Sequence, residues 1–314
     1  MKTIYLSTLD GRFSQVDQVT NGAWISLIDP TAAEIDAVAT QCAVDPDDLR
    51  AALDVEERSR VTAEDGYVLV LVDVPTTEIR DGRSWYVTIP LGIVIADQVI
   101  ITVCLEKVPF IGEFEAGRVR SFHTFMKTRF TLQLLLRNAA TYLAVLHDID
   151  KMIDRGEASL RKSTRNAELM EMMELEKSLV YVNTSLVSNQ RVLERMVRVK
   201  AIKKYPDDDD LLQDTMIENE QAMEMAGLYS GILSGTMDAY ASVIANNQNA
   251  IMKTLALITI VLSIPTMIFS AFGMNLNLDG FPLEAPIWGF WGIVGISFII
   301  AIIVVVFFIR KRWF

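Results

Sequence analysis

The chain has 314 residues, 51% hydrophobic and 22% charged. It therefore carries too much apolar surface to stay disordered and too much charge to lie wholly within a membrane. With 40 acidic against 29 basic residues the formal net charge is −11, which argues against nucleic acid as a partner, because phosphate binding needs a basic face, and which suits cations instead.

The length allows about two domains. Residues 1–118 predict a cytoplasmic α/β domain. β-rich runs at 3–6, 23–28, 67–74, 86–95 and 99–103 are separated by Gly, Asp and Pro. Thr31 followed by Glu34, and Asp45 followed by Pro46, predict helix starts. No phosphate-cradling glycine loop or nucleophile elbow occurs here, so no enzymatic motif is indicated. Cys42 and Cys104 are too few for a disulfide scaffold and read as small buried hydrophobes in a reducing compartment.

Residues 119–253 predict a cytoplasmic helical stalk region. Helical apolar spacing runs over 119–158 and 164–204, with a break at Gly156 and another at Tyr205-Pro206. The acids Asp207–Asp210 suit the capping of a new helix start better than the ligation of one ion, since four consecutive side chains cannot face a single centre. An unbroken helical pattern then runs from 211 to 272. At about 1.5 Å per residue that is roughly 93 Å, too long for one globular domain. His123 and His147 have no Cys or acidic companions at ligand spacing, so no zinc centre is expected, and Met170, Met172 and Met173 read as helix packing.

Residues 254–314 predict a transmembrane hairpin. Between Lys253 and Arg310 there is no Lys or Arg, and the apolar runs 254–272 and 287–309 each meet the ~20 residues that a ~30 Å bilayer core requires. Between them lies a loop rich in Gly, Asn and Pro that holds the only two acids of the segment, Asp279 and Glu284. Arg310, Lys311 and Arg312 follow the second run, so both chain ends are expected in the cytoplasm and the loop outside a cell membrane crossed twice. The first residues show no signal-peptide pattern.

Within the first span, Thr259, Ser263, Thr266 and Ser270 are spaced 4, 3 and 4, and Asn249 and Met252 extend the same face upstream. Helix packing through small polar residues and pore lining both select this pattern. Two spans cannot enclose a channel, whereas several copies of the face around a cyclic axis can. Met252 and Leu255 would then narrow the pore to an apolar gate.

The stretch Phe272-Gly273-Met274-Asn275, placed after a long stalk helix and before a short loop, a second span and the basic-aromatic tail Arg310–Phe314, resembles the CorA family of divalent-cation transporters. Asn249 and Met252 also stand where that family has Asn and Met on its pore helix. Two departures are visible: Phe272 stands where Tyr is more usual, and the acids of the loop are spaced differently. The resemblance implies an α+β membrane protein assembled as a funnel-shaped homopentamer, in contact with lipid and transporting hydrated Mg²⁺, with Co²⁺ and Ni²⁺ as further substrates. It gives Gly273, Met274 and Asn275 the role of selectivity filter. The chemistry agrees. Mg²⁺ sheds water reluctantly, and a ring of Asn275 amide oxygens can hold its water shell, with Gly273 turning the backbone at positive φ. The resemblance also implies closure by cytoplasmic Mg²⁺ at acids between subunits: Asp214 on the stalk, with Glu78 and Asp81 as candidate partners from the α/β domain. Two alternatives compete, a Zn²⁺ or other transition-metal transporter of the same fold and a membrane-anchored helical scaffold.

Overall fold

A computed structural model describes residues 1–8, 12–80, 82–160, 166–199, 206–274 and 286–311. The chain divides into two compact units, 1–237 and 238–314.

The first unit is built on one seven-stranded sheet. Its strands are β1 (Lys2–Ser7), β2 (Phe13–Gln15), β3 (Trp24–Ile28), β4 (Arg60–Glu64), β5 (Tyr67–Arg80), β6 (Arg83–Ala96) and β7 (Ile100–Cys104), in the order β2-β1-β3-β7-β6-β5-β4. The β3–β7 pair is parallel and the other pairs are antiparallel. All five strands expected from the sequence are present. The short strands β2 and β4, which it did not signal, complete the two edges.

Apolar side chains alternate along β5 to opposite faces, as the strand period requires. Val68, Val70, Val72 and Val74 join a cluster with α3 (Pro109–Glu115), α4 (Lys127–Leu160) and α5 (Asn166–Arg198). Tyr67, Leu69 and Leu71 join another with α1 (Ala32–Cys42) and α2 (Pro46–Ala51). The first cluster centres on aromatic rings: Phe130 lies 4.6 Å from Phe122, 4.9 Å from Trp24 and 5.3 Å from Phe114, centroid to centroid. Trp24 is fully buried and donates its indole N–H to Thr102 Oγ1 at 2.9 Å.

Both expected helix starts are seen. Thr31 and Glu34 form a reciprocal capping box on α1, and Asp45 caps α2 with Pro46 at its first position. The break expected at Gly156 does not occur, because α4 runs through it to Leu160. The reason is steric: a Cβ at Gly156 would lie 2.5 Å from Met172 Sδ on α5, so glycine permits close helix contact rather than ending the helix. Pro206 opens α6 (Pro206–Phe272), with Asp207, Asp208 and Asp209 in its first turn. Arg129 pairs with Asp207 at 3.5 Å and with the buried Asp208 at 3.6 Å.

α6 is 67 residues long and continues into the second unit, which also holds α7 (Pro286–Arg310). Both helices are long and apolar enough to cross a membrane. Burial of Cys104 pushes its thiol up to about 12, in keeping with an inert core position.

Candidate functional site

The C-terminal part of α6 carries a groove of about 670 Å³ lined by Thr259, Leu262, Ser263, Thr266, Met267, Ser270, Ala271 and Met274. All four hydroxyl residues expected to share a face are brought together here. Leu262, Met267 and Ala271 join them. The same three-and-four spacing connects these additions, so the signal was present and the face is simply broader than its hydroxyls.

The half-buried positions of this stretch are Leu257, Val261, Ile264, Pro265 and Ile268. All but Pro265 precede a hydroxyl residue by two. Two residues turn a helix by about 200°, so the hydroxyls point away from the covered side. They are exposed in the single chain, as a face reserved for an assembly axis would be.

The hydroxyls are also oriented. Thr259 Oγ1 donates to the Leu255 carbonyl at 2.9 Å, Ser263 Oγ to the Thr259 carbonyl at 2.7 Å and Thr266 Oγ1 to the Leu262 carbonyl at 2.9 Å. Each hydrogen is consumed within the helix, which leaves oxygen lone pairs facing outward. Pro265 lies among these residues. Lacking an N–H, it leaves the Val261 carbonyl without the usual partner one turn later.

At the end of α6, Gly273 N–H donates to the Phe269 carbonyl at 2.9 Å. Its φ lies outside the left-handed region, contrary to the turn expected from the sequence. A Cβ here would stand 3.2 Å from the Phe269 oxygen, a tight approach, and 3.5 Å from that of Ser270, an ordinary contact. Met274 is exposed at the mouth of the groove. Asn275, Asp279, Glu284 and Asp81 lie outside the described residues. Upstream on α6, Asn249, Met252 and Leu255 are exposed.

Asp214 is exposed on α6 and makes no ion pair among the described residues. Glu78 is engaged by Arg80 at 2.5 Å, which holds its carboxyl below the usual range, and Arg80 also reaches Glu174 at 3.5 Å. No group of three or more His, Cys, Asp or Glu side chains suited to a metal ion occurs among the described residues.

A family model described as "CorA-like Mg2+ transporter protein" matches residues 20–311. This chain belongs to the CorA family. The cobalt/magnesium transport protein CorA of Methanocaldococcus jannaschii is 25% identical over 299 residues, covering 92% of this chain and 90% of that protein. The complete structure of CorA from that organism superposes with a TM-score of 0.85 at 22% identity, over 100% of this chain and 99% of the other. The cytoplasmic domain of ZntB from Vibrio parahaemolyticus shares the fold more distantly, with a TM-score of 0.59 at 10% identity over 79% of this chain and 98% of its own. The CorA architecture, an N-terminal α/β domain followed by a long helix and a C-terminal apolar helix, is the one described above.

Proposed function

We propose that the protein transports divalent cations, Mg²⁺ foremost and Co²⁺ or Ni²⁺ with it, as hydrated ions through a pore formed by the hydroxyl faces of α6 in a cyclic homopentamer. It sits in a cell membrane with both chain ends cytoplasmic. The observation that carries this reading is the hydroxyl orientation on α6. A hydrated cation presents water hydrogens outward, and a wall of lone pairs accepts them without stripping the shell. A wall of the opposite polarity would suit anions.

In this reading Gly273, Met274 and Asn275 form the outer filter. Met252 and Leu255 form the inner, apolar constriction. Cytoplasmic Mg²⁺ closes the pore by bridging Asp214 to acids of a neighbouring copy, and the unpaired state of Asp214 supports that role. Glu78 is less free to serve as its partner, since Arg80 already holds it. The names of the M. jannaschii and Thermotoga maritima relatives, both cobalt/magnesium transport proteins, support the ion class.

The test is ion entry into proteoliposomes containing the purified protein, measured for Mg²⁺, Co²⁺, Ni²⁺ and Zn²⁺ in parallel. Saturable Mg²⁺ entry that is sharply reduced in Asn275→Ala, with unchanged assembly, is the expected result. Preferred Zn²⁺ entry would replace the ion assignment, and absence of flux for every ion would favour a membrane-anchored scaffold.

A further inference from the structure

Charge in this chain is segregated along two helices of the first unit. Residues 191–204 hold six Lys or Arg and one acid, and residues 207–224 hold eight acids and no base. On α5, Arg191, Arg195 and Arg198 are exposed and spaced four and three apart, so they share one face. They border a groove of about 430 Å³ with Glu194 and Val199. None of the three arginines forms an ion pair among the described residues. On α6, Asp209, Asp210, Glu220 and Glu224 are exposed and equally without ion pairs among the described residues. Like charges one turn apart, Arg191 with Arg195 and Glu220 with Glu224, disfavour an isolated helix.

The fold keeps the two rows apart. Asn219 of α6 is buried and donates to the Leu186 carbonyl at 3.1 Å and to Gln190 Oε1 at 2.9 Å, both on α5. Asp210 precedes Asn219 by nine residues, about two and a half turns, so it points away from α5. On α5 itself, Val192, Leu193 and Met196 turn into the core between the arginines. The arginines therefore face outward as well, and the two rows do not meet within one chain.

We propose that the arginine row of α5 docks on the acidic row of α6 in the next copy of the chain. This rests on the cyclic homo-oligomer proposed above and adds which two faces meet in it. A ring needs two different, complementary faces on each copy, and these rows are such a pair. A cation would answer only the acids, and a phosphate anion only the arginines. A second copy answers both at once. Arginine suits the contact, because its planar fork meets a carboxylate through two parallel N–H···O bonds. Exposed pairs of this kind fix register and direction around the ring more than they add affinity.

The experiment is size-exclusion chromatography with light scattering, on the purified full-length protein in mild detergent at fixed Mg²⁺. The variant carrying Arg191→Glu, Arg195→Glu and Arg198→Glu is expected to lose assembled mass at low salt, where repulsion between like rows is least screened. Adding Asp210→Arg, Glu220→Arg and Glu224→Arg to it should restore that mass. Unchanged assembly in the arginine variant, or no recovery on the swap, overturns the proposal. Inorganic triphosphate that raises the Tm of the parent but not of the arginine variant, with both fully assembled, would assign the row to a phosphate anion and also overturn it. A monomeric parent would remove the cyclic reading along with this one, whereas an oligomeric parent insensitive to charge reversal removes this one alone. Should the arginine variant not fold, Arg195→Lys treated with a carbodiimide gives a second readout. A cross-link between chains that joins position 195 to an acid of 207–224 supports the docking, and its absence overturns it.

Discussion

Ser263 donates its hydroxyl hydrogen to the carbonyl of Thr259, 2.7 Å away, so the residue that lines the groove is anchored to the backbone of the one before it on the same face. That bond fixes which way the Ser263 oxygen presents its lone pairs. Removing the oxygen while keeping the helix should therefore weaken ion passage without disturbing assembly. Ser263→Ala is expected to lower Mg²⁺ flux by about 2- to 10-fold, the range for one lost hydrogen-bond acceptor. Unchanged flux in correctly assembled proteoliposomes would return the face to simple helix packing.

The 200° offset between covered and uncovered positions has its own test. Cysteine placed at Thr259, Ser263 or Thr266 should react with small water-soluble thiol reagents in open channels. Cysteine at Leu257, Val261 or Ile264 should react much more slowly. Labelling of equal rate around the helix would contradict a water-filled path along this face.

Asp214→Lys should leave transport active at cytoplasmic Mg²⁺ concentrations that close the parent protein, or lock the pore in one state. Either result follows when a fixed positive charge takes the place of a titrating ion. A parental Mg²⁺ inhibition curve at equal expression would reduce Asp214 to a residue that stabilises the start of α6 by about 0.3–1 kcal/mol.

Phe130 is buried against Trp24, Phe114 and Phe122. Phe130→Ala should cost about 3–5 kcal/mol of stability, from lost transfer free energy and the cavity left behind. Denaturant unfolding of the full chain checks this, and a loss below about 1 kcal/mol would mean that the cluster collapses to fill the gap.

The capping box predicts a pH effect of definite sign. Glu34 has its carboxyl lowered first by the hydrogen bond it accepts from the Thr31 backbone N–H. A depressed carboxyl stabilises the fold above its unfolded value and loses that contribution as pH falls through the folded one. Glu34→Gln should therefore narrow the stability difference between neutral and acidic pH, while Thr31→Ala costs about 1 kcal/mol at neutral pH. Thermal unfolding across pH reads both.

Much of the fold was legible because local rules and packing agree. The alternation of β5, the Thr31/Glu34 box and the Asp45-Pro46 start each specify their element from within a few residues. The two spans follow from length and hydropathy. Gly156 misled because a glycine inside a helical pattern has two meanings, breaker or contact point, and only the position of Met172 on another helix separates them. β2 and β4 were silent because they are short, partly polar and stabilised by pairing rather than by their own pattern. The 3/4 spacing found the hydroxyl face but not the orientation of its hydrogens, which depends on backbone carbonyls that no side-chain pattern reveals.

Pro265 leaves one rung missing from the hydrogen-bond ladder of α6, at Val261. Below that point the ladder continues through Leu255 and Met252, and above it a short segment leads to Ser270 and Gly273. The upper segment can pivot about the missing rung while the lower one stays stiff. In a pore lined as proposed above, the outer mouth and the inner apolar ring would then be under separate mechanical control, and the entrance would adjust to an arriving ion and its waters while the inner constriction stays shut.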